Sequence, residues 1–157
     1  MSAALRLETE MPGTASEYNR INAIKYRNLV LQNITTQKYG PSFKPLSPVY
    51  REWKRANGFP LSFWILKGDL MKNIIVQKVG KLDWESGPDP TAYDSGGKNW
   101  SQTGPRKPIA KYAQWVEEGT SKMPGRPVFG ASSYEYHLKY WNYEADRVLA
   151  KMKGKWR

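Results

Sequence analysis

The chain has 157 residues, with 25 Lys and Arg against 14 Asp and Glu, a single His and no Cys. A domain of this size hides about 70% of its unfolded surface, and 39% apolar content excludes a chain disordered by composition. The lack of cysteine excludes disulfide scaffolds and thiolate metal sites, while a formal charge of +11 creates a field that attracts polyanions.

Residues 1–14 read as an N-terminal arm, because Pro12 and Gly13 break regular structure and Ser16 can cap the next helix. Residues 15–38 read as a long helix, with Tyr18, Ile21, Ile24, Leu29, Leu31 and Ile34 at three- and four-residue steps. Gly40-Pro41 ends it. Residues 41–46 are extended, and Ser47-Pro48 opens a short basic helix to residue 57 that Gly58 closes. The apolar FPLSFWIL segment is a strand or a core-buried turn. Residues 68–73 make a helical turn. Residues 74–79 form a β-branched strand whose hairpin partner is expected at 81–85.

Residues 86–106 form a long loop carrying Pro88, Pro90, Gly96 and Gly97. A short helix comes next at 109–118. The last helix is expected from residue 131 to about 153, with Tyr134, Leu138, Trp141 and Ala145 on one inward face. Residues 154–157 close a basic tail. The whole is one domain, 1–157, of α+β class: long N- and C-terminal helices on a small, mainly antiparallel sheet, with a long loop and extended arms.

Catalytic templates fail one by one. His137 is the sole histidine and lies inside the last helix, so the pattern holds no convergent metal-ligand set. Asp83, Glu85, Asp89 and Asp94 lack calcium-loop spacing. Glu117 and Glu118 are adjacent on a helix, about 100° apart, and so poorly placed to share one proton. Gly96-Gly97-Lys98-Asn99 fails as a phosphate loop, because Ala92 stands at the first Gly and Asn99 at the Ser/Thr. No enzyme activity, cofactor or metal is expected. No stretch approaches the ~20 apolar residues of a membrane span, and residues 1–13 hold no signal-peptide core. A soluble, unexported protein is therefore expected.

Two blocks carry a likeness. YAQWVEEGTSKMPGRPVF, residues 112–129, joins a short helix, a Gly stop, a Pro-stiffened loop and an apolar re-entry. FKPLSPVYREWKRANGFPLSFWILKGDLMKNI, residues 43–74, precedes it. Together they resemble the phage tail-completion family, also called the head–tail joining, minor-tail or virion-morphogenesis family. The resemblance implies motif positions at Leu66, Gly68, Leu70 and Ile74 in the first block, with Leu70 and Ile74 anchoring a turn to the core. In the second it implies Gly119, Pro124, Pro127 and Phe129, with Gly119 ending a helix and Phe129 plugging the core. Lys67 replaces the family's Thr or Ser, so a capping hydroxyl is missing. Gly125 stands where Ala is common.

The resemblance further implies a virion structural protein. It would form a homo-oligomeric ring, six- or twelve-fold, in the neck between head connector or adaptor and tail tube or terminator. DNA would pass through it transiently, and assembly would take place in the host cytoplasm. Candidate subunit contacts are Trp100, Trp115, Glu117 and Glu118, with Met123, Arg126 and Trp156. Aromatic and Arg side chains are enriched in such contacts. Two alternatives stand beside this: a tail terminator, or a basic protein that binds nucleic acid without sequence preference.

Overall fold

The computed structural model describes residues 3–65, 67–95 and 106–141, with positions 143, 146 and 150 beyond them; side-chain surroundings are described from residue 15 onward. Helices and two small antiparallel sheets make an α+β fold. Helix α1 spans Ala3–Thr35. It therefore takes in the segment expected to be an arm. Alanine, leucine and glutamate are strong helix formers, and their run through residues 3–10 outweighs the break expected at Pro12. At its other end α1 stops at Thr35, before the expected residue 38, and Gln37 turns the chain with φ +51°.

The buried face of α1 is mixed. Ala23, Val30 and Ile34 share it with Asn22 and Asn33. Ala23, Val30 and Ile34 are separated by seven and four residues and Asn22 and Asn33 by eleven, close to whole helical turns, so they line one side of the helix. Periodicity in the aliphatic residues alone misses the two asparagines. Each has a partner on the last helix: Tyr136 Oη donates to Asn22 Oδ1 at 2.6 Å, and Asn33 Nδ2 donates to Ser132 Oγ at 3.0 Å.

A one-turn 3-10 helix, Gly40–Ser42, leads to α2, Pro48–Ala56, whose first turn is capped by Ser47 Oγ accepting from Tyr50 N. Residues 59–65 of the FPLSFWIL segment are neither strand nor helix but a loop that buries Trp64, which is 1% exposed. Helix α3, Asp69–Lys72, comes after Gly68. Strand β1, Ile74–Lys78, pairs antiparallel with β2, Trp84–Pro88, in the register Val76 opposite Ser86. The hairpin partner thus lies three residues later than expected, because residues 79–83 are used in the turn. It also takes over the start of the expected long loop. That loop is tethered at Tyr93, which bridges Pro108, and residues 96–105 lie outside the described chain.

Helix α4, Ile109–Glu118, runs into a miniature hairpin of β3, Gly119–Thr120, and β4, Met123–Pro124. Helix α5, Phe129–Tyr136, then continues as a π-helical turn, His137–Trp141. Most of the expected last helix beyond it lies outside the described residues. The core joins Val30 and Ile34 of α1, Trp64, Leu70 and Ile74, and Ile109, Ala113 and Val116 of α4. Val128 completes it.

Of the expected inward stripe of the last helix, Tyr134 and Leu138 face out, while the side chains of Trp141 and Ala145 lie outside the described residues. Tyr134 is 71% exposed and Leu138 67%. Ser132 and Tyr136 are buried instead, and a residue two positions along a helix is rotated about 200°. Glu135 fastens this rotation. It accepts from Lys38 Nζ, from Lys139 Nζ at 2.8 Å and from Tyr39 Oη at 2.7 Å. Burial pushes its carboxyl up, but hydrogen bonds from Lys139, Lys38 and Tyr39 outweigh this and hold it down at about 2.

An ordinary glutamate titrates near 4.5. The Glu135 contribution to stability is therefore complete above pH 4.5 and lost as pH falls toward 2. Urea unfolding across that range should show the decline, and Glu135→Gln should flatten it. At pH 7 the same substitution should cost about 1–2 kcal/mol, discounted because both lysines are solvated.

Candidate functional site

The two sequence blocks meet in space. Trp64 of the first donates its indole Nε1–H to the Arg126 carbonyl of the second at 2.8 Å. Arg126, a candidate for contact with another subunit, is 5% exposed. Its guanidinium lies 5.1 Å from the Phe63 ring centroid, and its Nη2 donates to Lys44 O. Its place is therefore inside the subunit. A surface role would need the loop after β4 to lie open, whereas Arg126 N is held by Val116 O at 2.7 Å.

Beside it is a second buried cation. Lys54 of α2 is 1% exposed, and its ammonium donates to Ser62 O at 2.6 Å and Ile65 O at 2.9 Å. Removal from water lowers its pKa to about 8, and the nearby Arg126 charge adds to the effect. Burial also pushes the Tyr50 hydroxyl up, while Arg126 opposes that shift. Nothing in the spacing of Lys54 marks it out from its exposed neighbours Arg51 and Arg55. Only its place opposite the expected apolar loop hints at burial.

The remaining candidates divide. Glu117 is spent on a helix end: its carboxylate accepts from Val128 N at 2.7 Å, Phe129 N at 3.0 Å and Gly130 N at 2.7 Å. N–H groups at the start of α5 lack helical partners, and an anion there also meets the positive end of the helix dipole. Glu118 is exposed and accepts from Gln114 Nε2. Trp115 is half-buried on α4, and Met123 is half-buried against the core. Trp100, Trp156 and Leu66 lie outside the described residues.

Most of the motif positions are structural. Gly68 has φ +81° and Gly119 φ +86°. Leu70 and Ile74 are 2% and 1% exposed. Gly119 and Gly125 touch backbone to backbone. A Cβ on Gly119 would lie 2.5 Å from Gly125 N, and one on Gly125 would lie 2.8 Å from Glu118 O. Alanine, common at this second position in the resembled family, does not fit here. Pro124 and Pro127 are exposed. Phe129 is half-buried, and the fully buried plug is its neighbour Val128, 0% exposed. The N-cap of α3 is Gly68 rather than Lys67, and it makes no side-chain cap bond. Ser95 instead ties Asp69 Oδ2 through its N–H and hydroxyl.

Among the described residues, no three His, Asp or Glu side chains converge as a metal site, and no helix is long and apolar enough to cross a membrane. The chain matches no protein-family model, and no curated protein or solved structure matches it.

Between pH 8 and 10.5 the folded chain has released the Lys54 proton while the unfolded chain still holds it. Stability should therefore rise with pH across that window. Above pH 10 the direction reverses. Burial raises Tyr26 and Tyr39 to about 12, so the unfolded chain ionises them first. Urea unfolding at one-unit steps should show a maximum near pH 10, and Lys54→Met should remove the rise on its acid side.

Proposed function

We propose that this chain is a structural subunit of a tailed-bacteriophage virion, of the tail-completion kind. It would form a ring in the neck that joins the head connector to the tail tube. The observation that carries this reading is the pair of sequence blocks at 43–74 and 112–129, in the family's order. The direct packing of one block on the other, through the Trp64 and Arg126 contact, supports treating them as one motif.

Mechanism here is interlocking of surfaces rather than chemistry. Closed rings use heterologous contacts, in which one face meets a different face of the next subunit. The outward pair Tyr134 and Leu138, one turn apart on the last helix, supplies an apolar face suited to such a contact. Met123 and Trp115, half-buried, and Trp100 and Trp156 remain candidates for the same layer. The net charge of +11 suits a passage that guides duplex DNA without gripping it.

That same charge favours a second reading, a basic protein that binds nucleic acid without sequence preference. A tail terminator is the close variant of the first.

Electron microscopy of the purified protein, and of the particle neck, should show rings of six or twelve copies at the collar. Density placed elsewhere, or virions that lack the chain, would overturn the neck assignment. Replacing Tyr134 and Leu138 together with Glu should abolish rings while leaving the urea midpoint nearly unchanged, because both side chains are already solvated. Mobility shift on duplex DNA at near-physiological salt should be weak. Tight binding by the monomer would favour the second reading.

A further inference from the structure

A cleft of about 550 Å³ lies away from the two motif blocks, between α1, the β1–β2 hairpin and the start of the last helix. Its floor is polar and incompletely bonded. Asn22 lines it and is 7% exposed, yet its Nδ2 donates to no partner among the described residues. Ser86 Oγ, also on the lining, is buried in the same condition. Buried polar groups are ordinarily bonded, and each exception asks for a partner that completes it.

The wall of this cleft is an open strand edge. Among the described residues the sheet has two strands, so β2 is paired on one side. Val79 N bonds Asp83 O, and Asp89 N bonds Asn73 O. In an antiparallel ladder the bonded pairs alternate, so Glu85 and Gly87 point their backbone groups at β1. Trp84 and Ser86 point theirs away, toward the unpaired edge. Strand edges of this kind receive extended segments.

Charge selects the guest. On a chain of net +11, the fully charged residues described on this lining are Asp83 and Glu85, both acidic. They are two positions apart in the chain, so they share a face of the hairpin. The segment KMKGKWR, 151–157, has the complementary period. Lys151, Lys153, Lys155 and Arg157 alternate with Met152, Gly154 and Trp156. As a strand it would set its cations on the side of Asp83 and Glu85. Met152 and Trp156 would then face α1, where Ala23 and Tyr26 line the cleft. Positions 143, 146 and 150 are helical and exposed. In the ring proposed above each copy meets a neighbour, and the guest is that neighbour's segment.

We infer that the cleft beside β2 receives residues 151–157 of a second copy, added as a third strand. The inference rests on the self-assembling reading and names a contact that would bind neighbours together.

The chain has no cysteine, so introduced ones are unique. Gly87 shares the Glu85 face, and a Cβ there meets nothing within 4 Å. Full-length Gly87→Cys and Lys153→Cys proteins, mixed and mildly oxidised, should form a disulfide between copies. Its yield should exceed that with Lys122→Cys, an exposed control, by at least about fivefold. Glu85→Lys should abolish that excess, and so should Ser86→Pro, which removes an N–H from the open side without removing a hairpin bond. Synthetic KMKGKWR should compete. A yield no higher than the control overturns the inference, even if rings are seen by microscopy. A disulfide that forms only within single chains carrying both cysteines also overturns it. The link between copies without any ring sustains the cleft and counts against the neck reading alone.

Discussion

The fold depends on a buried cation, Lys54, that is satisfied by carbonyl groups. Lys54 gathers the Ser62 and Ile65 carbonyls of a loop that has no secondary structure of its own. Backbone groups in such a loop would otherwise be buried without partners, at a cost of about 1–3 kcal/mol each. The ammonium removes that cost and accepts a penalty for leaving water, visible as its depressed pKa. With the loop fixed, Trp64 can stand inside the core with its indole N–H on the Arg126 carbonyl. That bond places the segment between β4 and α5, and the position of the last helix depends on where that segment lies.

The next constraint is helix rotation. Glu117, at the end of α4, caps the first N–H groups of α5, so the end of one helix sets the start of the next. Gly119 and Gly125 allow the intervening hairpin to close at backbone contact. Once the α5 start is fixed, Ser132 and Tyr136 turn toward Asn33 and Asn22, and Glu135 toward Lys38 and Tyr39. The interface between first and last helices is therefore largely polar. It specifies orientation through paired groups, where an apolar seam would tolerate slippage. The consequence is an aromatic and aliphatic face left outside.

These particulars explain how much of the molecule is legible in its sequence. Helix α4 and strand β1 can be read almost to the residue, because a cap, a breaker or a β-branched run marks them locally. Helix α2 is equally clear from Ser47-Pro48 and Gly58. For the described start of the last helix, apolar periodicity selects the wrong inward face, since it gives no weight to Ser132. The asparagines of α1 escape for the same reason: burial of a polar side chain depends on a partner about 100 residues away in the chain. Arginine at a Pro-rich loop is commonly a contact residue, which is why the pattern around Arg126 points outward. Its burial depends on Phe63 and Lys44, which no local pattern reveals.

Charge is distributed unevenly over this molecule, and the distribution has a physical use. A body of net +11 repels its own copies at long range, by an amount that salt screens within about 8–10 Å. The proposed self-association would have to come from short-range contacts strong enough to oppose that repulsion. Two features of the surface are suited to it. One is the apolar pair Tyr134 and Leu138, whose burial is indifferent to salt screening. The other is the cleft by β2, whose lining carries the acidic residues Asp83 and Glu85. Tyr136 and His137 of the last helix line the cleft, whereas Tyr134 and Leu138 are exposed and are not part of its lining. If both features serve as contacts, as proposed, two unlike faces would fit a head-to-tail arrangement better than a two-fold pair, in which each copy would present the same patch.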